Sequence, residues 1–177
     1  MEEVKAQTKV AARSVKGAEK TVGLASRLMR SVVLIETDDC TLGAGFYIDE
    51  THVLTNNHVV ENVKYAEMTT SKGLKSFGKV VKRSTIRDLA LIRVNTKGTP
   101  AAFHNGAISA GDEVFSAGHP KGLTFSINKG IVSTTRKMSV STPDSLQLTL
   151  IQTGAAINQG NSGGPLFLNG KVVGVNT

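Results

Sequence analysis

The sequence predicts an all-β protein, and three observations carry that prediction. Beyond residue 31, short runs rich in Val, Ile, Thr, Phe and Tyr alternate with Gly, Asn, Asp and Ser turn residues. The runs fall into two sets, separated by a stretch with no strand pattern at 95–110 that contains Gly98, Pro100 and Gly106. Helical periodicity is confined to the first thirty residues.

In chain order, the first set comprises Ser31–Thr37, Leu42–Asp49, His52–Thr55, Lys64–Thr70, Leu74–Arg83 and Leu89–Val94. The second comprises Glu113–Gly118, Phe125–Thr135, Leu146–Thr153, Pro165–Leu168 and Val172–Asn176. Each is rich in the β-branched and aromatic residues that fit a pleated surface. Before them, Ala11, Val15, Ala18, Val22, Ala25 and Met29 recur at helical spacing with Lys and Arg on the other faces, an amphipathic helix expected to pack on the protein body or on another subunit. That segment has neither a continuous apolar run nor a small-residue cleavage site, so it does not read as a secretory signal. The default expectation is therefore cytoplasmic, with organelle targeting by this Arg-containing segment as the alternative.

The chemistry concentrates in Gly160-Asn161-Ser162-Gly163-Gly164-Pro165-Leu166. Glycines on both sides allow positive φ and leave no Cβ to block an approaching substrate. Such a loop is able to aim backbone N–H groups at one point, as a developing oxyanion requires. A serine hydroxyl is a poor nucleophile near neutrality and needs an imidazole to take its proton. His58 supplies one, in His52-Val53-Leu54-Thr55-Asn56-Asn57-His58-Val59-Val60, and Asp88, ahead of Leu89-Ala90-Leu91-Ile92, supplies the carboxylate that fixes its tautomer. The order His58, Asp88, Ser162 is that of the chymotrypsin-like arrangement.

Taken with Gly43-Ala44-Gly45-Phe46-Tyr47-Ile48, Gly130-Ile131-Val132-Ser133 and Gln152-Thr153-Gly154-Ala155-Ala156-Ile157-Asn158, these motifs resemble the trypsin-like serine proteases of the HtrA (Deg) type. They occur in that family's order from about residue 31 to the end of the chain. The resemblance implies two antiparallel β-barrels of the chymotrypsin/trypsin type, with the catalytic groups in the cleft between them. Residues 31–97 would form the first barrel, carrying His58 and Asp88, and 98–110 the connection. Residues 111–177 would form the second, incomplete barrel with Ser162, behind an N-terminal helical segment at 1–30. Five runs stand where the family has six strands, so the second barrel is expected to lack its last strand.

The implied activity is that of a serine endopeptidase acting on unfolded or damaged proteins through an acyl-enzyme. The catalytic residues would be His58, Asp88 and Ser162, the oxyanion hole Gly160, Asn161 and Ser162, and the substrate contacts Ala156, Ile157, Asn176 and Thr177. The alternative is a catalytically impaired binding or chaperone module, because the strand that walls the pocket is missing. Relatives commonly have aspartate at position 154 and proline at 159, where this chain has Gly154 and Gln159, so the approach to the serine loop is expected to be more pliable. HtrA-type enzymes often trimerise, which makes a homotrimer an expectation. The region near Ala156 and Ile157 carries no carboxylate, so small or medium aliphatic side chains are the expected preference.

Composition bounds what remains. The 177 residues suit one compact domain or two small subdomains, 40% are apolar, and no run is long enough to span a membrane. The net charge of +7 is partly concentrated in Lys64, Lys72, Lys75, Lys79, Lys82, Arg83, Arg87 and Arg93. Without a recognised nucleic-acid fold, that stretch reads as a solvated face and predicts no specific nucleic-acid partner. Cys40 is the only cysteine, so no disulfide forms within the chain. His52, His104 and His119 lack ligand spacing, and neither a metal nor an organic cofactor is expected. His119, ahead of Pro120, reads as a structural or exposed turn residue.

Overall fold

The structure is a computed structural model that describes residues 23–119, 125–140 and 146–177. Most of the predicted N-terminal stripe, Ala11 to Val22, lies outside the described residues. Residues 23–28 are helical and run into a 3-10 turn, Met29–Ser31. Leu24, Leu28 and Met29 of this segment pack into the hydrophobic cluster that joins the two halves of the molecule.

Six strands follow: β1 (Val32–Glu36), β2 (Leu42–Tyr47), β3 (His52–Thr55), β4 (Tyr65–Thr70), β5 (Lys75–Ser84) and β6 (Leu89–Val94). They close into an antiparallel barrel in the order β1-β2-β3-β6-β5-β4. Alternation sets its interior. Val33 and Ile35 of β1, Val53 of β3, Met68 of β4 and Ile92 of β6 are fully buried in one cluster, while their neighbours in sequence face outward.

The second half contains β7 (Glu113–Gly118), β8 (Ser126–Ser139), β9 (Gln147–Thr153), β10 (Pro165–Leu168) and β11 (Lys171–Val175). These form an open five-stranded sheet in the order β11-β10-β7-β8-β9. The observed fold is thus the expected one: a closed barrel followed by a curled half-barrel that has five strands among the described residues. Strand β8 runs beyond the predicted Thr135 because it pairs with β9 as far as Ser139↔Gln147. That extension lies away from the core, and Met138 and Leu150 on it are exposed.

The two halves meet across a shared core. Val32 and Phe46 from the barrel pack with Ala117, Phe167 and Val172 from the open sheet. Phe46 and Phe167 are almost wholly buried, so the seam between the halves is dry where it matters for rigidity.

Candidate active site

The register of the barrel brings the first two predicted site residues together. Strands β3 and β6 pair antiparallel with Thr55 opposite Ala90. The chain leaving β3 and the chain entering β6 therefore emerge at the same end of the barrel, His58 three residues beyond β3 and Asp88 one residue before β6. Asp88 sits in a turn closed by its N–H to the Thr85 carbonyl, with φ of 49°, a left-handed conformation that Asp tolerates better than most residues. The Asn56 Nδ2 donates to the Asp88 carbonyl at 2.8 Å and so fastens that turn to the chain ahead of His58.

The carboxylate of Asp88 grips His58 twice. Oδ1 accepts the His58 backbone N–H at 3.0 Å, and Oδ2 lies 2.7 Å from His58 Nδ1. A carboxylate only accepts, so Nδ1 carries the proton and Nε2 presents a lone pair. The Thr177 hydroxyl donates to the same Oδ2 at 3.0 Å. Partial burial pushes the Asp88 carboxyl up, but the hydrogen bonds from His58 and Thr177 outweigh it and hold the group below its ordinary value. Asp88 is thus an anion under all but strongly acidic conditions.

Ser162 lies in the loop between β9 and β10, and that loop is bolted to both halves. The Ser162 carbonyl accepts the Ala44 N–H of β2 at 2.8 Å. Gly163 N–H donates to the Asn176 carbonyl at 2.9 Å, and Asn176 N–H donates to Gly164. Gly163 has φ of 84°, and a Cβ there would overlap the Ala44 carbonyl and the Thr55 hydroxyl. Only glycine allows the serine loop to press this closely on the barrel that carries His58. Among the described residues, Ser162 Oγ makes no hydrogen bond.

The predicted oxyanion donors divide. Gly160, at φ of 97°, and Ser162 make no hydrogen bond through their N–H groups among the described residues. Asn161 N–H, by contrast, donates to the Asn158 carbonyl at 2.9 Å, so it closes a turn instead of facing a substrate. The Asn161 side chain is fully buried and donates to the Ala156 carbonyl. The predicted substrate contacts divide as well. Ala156 and Ile157 are exposed, whereas Asn176 is buried, with its Nδ2 directed at the Ala117 and Pro165 carbonyls. Thr177 is exposed and holds Asp88.

Sequence reasoning missed three residues. Asn56 was noted only as part of a motif, although an Asn two places before a histidine at a strand end is suited to bond a neighbouring turn. Arg83 was counted in the basic stretch. His119 is buried, with only 2% of its surface exposed, and its backbone N–H donates to the Gly160 carbonyl at 3.0 Å. Its Nδ1 accepts the Phe125 N–H at 3.0 Å, and its ring meets that of Phe125 edge-on. Burial lowers its pKa to about 4, with the Val33 backbone opposing in part. Among the described residues no cluster of His, Cys, Asp or Glu has the makings of a metal site.

Comparison with known proteins agrees with this arrangement. Residues 43–175 match the trypsin-like peptidase domain. The chain is 38% identical over 142 residues to the periplasmic serine endoprotease DegP of Salmonella typhimurium, covering 77% of this chain and 30% of that protein. It is also 38% identical over 141 residues to the putative serine protease HhoB of Synechocystis sp., covering 76% and 34% respectively. The chain thus spans about a third of the length of these relatives. Its fold superimposes on the crystal structure of Deg5 with a TM-score of 0.78 at 29% identity, covering 91% of this chain and 85% of that one. The serine endoprotease from Yersinia pestis matches with a TM-score of 0.74 at 29% identity, covering 87% and 56%. The periplasmic location in the DegP name overturns the cytoplasmic default, which rested on the lack of a leader pattern and on no positive signal. The chain belongs to the trypsin-like peptidase family, and its relatives are serine endoproteases of the DegP and HtrA kind.

Proposed function

We propose that this chain is the catalytic domain of a serine endopeptidase that cleaves unfolded or damaged proteins outside the cytoplasm. The observation that carries the proposal is the double grip of Asp88 on His58, which orients the imidazole and leaves Nε2 free to act as a base. Ser162 Oγ attacks the scissile carbonyl while His58 Nε2 takes its proton. The new C–O bond forms as the carbonyl π electrons move onto oxygen, and the N–H groups of Gly160 and Ser162 receive that charge. His58 then returns the proton to the leaving amine, and an acyl-Ser162 remains. Water, deprotonated by the same imidazole, releases the acid product and restores the hydroxyl.

Each part contributes on a known scale. One oxyanion donor is worth about 10²–10³ in turnover. Asp88 stabilises the imidazolium without itself taking the proton. The exposed Ala156 and Ile157 beside the serine loop offer an apolar wall, which supports a preference for small or medium aliphatic side chains. Unfolded chains are the substrates suited to such a site, because extended backbone must reach a serine recessed between two β structures.

A fluorophosphonate probe tests the proposal. It should label the parent at Ser162 and leave Ser162→Ala unlabelled. A parent that folds yet resists the probe and hydrolyses no unfolded protein would sink it.

A further inference from the structure

We infer that Arg83 is a positioning residue for this proteolysis, its guanidinium tying down the turn that presents His58. The inference rests on the reading of His58, Asp88 and Ser162 proposed above. Arg83 stands near the end of β5, opposite Ala90 of β6, so it approaches the site from the same hairpin that delivers Asp88. Its Nη1 donates to the Val60 carbonyl at 2.6 Å, and its Nη2 donates to the Val63 carbonyl. Among the described residues Arg83 forms no ion pair with a carboxylate, and two of its five N–H donors go to these two carbonyls.

Apart from the bond of His58 N–H to Asp88, the segment it holds is defined by two turns and two buried valines. Between Asn57 and Val63 the backbone makes two successive tight turns, Val60 N–H to Asn57 O at 3.0 Å and Val63 N–H to Val60 O at 3.2 Å. Val59 and Val60 are buried in the barrel core, but His58, Glu61 and Asn62 are exposed. Asp88 sets the imidazole ring itself, but apolar burial of Val59 and Val60 is non-directional and does not fix the backbone just beyond His58. Two directional bonds from one planar fork hold that backbone, since both donors are rigidly related. Asn56 grips the Asp88 carbonyl on one side of His58 and Arg83 grips the Val60 and Val63 carbonyls on the other. The β5–β6 hairpin therefore clasps the base from both flanks.

A displacement of about 1 Å in a catalytic group costs on the order of 10²-fold in rate. Arg83→Ala removes both bonds, so kcat should fall by about 10- to 10²-fold, while KM, set at the exposed wall near Ala156 and Ile157, stays within about twofold. Arg83→Lys keeps the charge and the stem but reaches one carbonyl in place of two, and should recover part of the loss.

The test compares the parent, Arg83→Ala, Arg83→Lys and Ser162→Ala in the intact protein. It measures peptide hydrolysis, fluorophosphonate labelling and the NMR signal of the His58 Nδ1 proton bonded to Asp88. The expected result is a fall in kcat and labelling rate, unchanged KM, and broadening of the Nδ1 proton signal in Arg83→Ala, with Arg83→Lys between it and the parent. Turnover and signal equal to the parent, or a rise in KM at constant kcat, would overturn the inference. If Arg83→Ala does not fold, Arg83→Lys decides by the same criteria. If the parent is neither active nor labelled, the reading of Ser162 fails, and the Nδ1 signal, which needs no turnover, still decides Arg83: an unchanged signal in the variants refutes its role.

Discussion

Acidification from pH 7 to pH 4 should destabilise the fold through one residue, His119. Burial against Phe125 lowers its pKa from the ordinary 6.5 to about 4. Between these values the unfolded chain binds a proton that the folded chain refuses, so folding stability falls as pH falls through this window. At about 1.4 kcal/mol per pH unit of difference, the full loss is about 3 kcal/mol, with about 2 kcal/mol already gone at pH 5. Asp88 does not blur the measurement. Its pKa is depressed, so its contribution is present above the ordinary carboxylate value near 3.9 and is lost only below it. The comparison is with His119→Asn, whose Oδ1 stands where Nδ1 stands and keeps an acceptor for the Phe125 N–H without titrating. Urea midpoints measured at intervals from pH 7 to pH 4.5 should diverge, the parent losing stability that the variant keeps. Parallel curves for the two proteins would refute the reasoning, because they would mean that His119 titrates alike in the folded and unfolded states.

Three further outcomes are expected. Asp88→Asn leaves the hydrogen-bonding shape in place but supplies a donor where Nδ1–H needs an acceptor, and kcat should fall by about 10⁴-fold with the fold intact by circular dichroism. Gly163→Ala forces a side chain into φ of 84° and against the Ala44 carbonyl, and should cost at least about 1–3 kcal/mol in urea unfolding together with activity. Phe46→Ala empties the centre of the seam between barrel and sheet, and thermal unfolding should show a loss of about 3–5 kcal/mol.

The strands were legible because burial here follows the period of two: Val53 and Thr55 point inward while His52 and Leu54 are less buried, and the sequence shows that alternation directly. The end of β8 was not. Thr135 to Ser139 carry no apolar pattern, and backbone pairing with β9, which leaves no mark on side-chain composition, holds them in the strand. The pairing of His58 with Asp88 was legible from residue types and order, and the same chemistry of an activated hydroxyl is what proposes Ser162 as their partner. Its supports were not legible to the same degree. Arg83, Asn56 and Thr177 act through backbone carbonyls or through Asp88, contacts set by register and not by motif. For His119 the sequence left a structural and an exposed reading open, and the buried ring packed edge-on against Phe125 is the structural one, a contact that the neighbours Gly118 and Pro120 do not announce. Asn161 was expected among the oxyanion donors because position in the loop says nothing of which N–H groups a turn consumes.

The central claim is that Ser162 is activated by the imidazole that Asp88 orients. Intact mass spectrometry after exposure to a fluorophosphonate measures this most directly. The account predicts a single adduct on Ser162 in the parent, a labelling rate strongly reduced in Asp88→Asn, and no adduct in Ser162→Ala. A parent that stays unmodified, or that is modified equally well without Ser162, would contradict it.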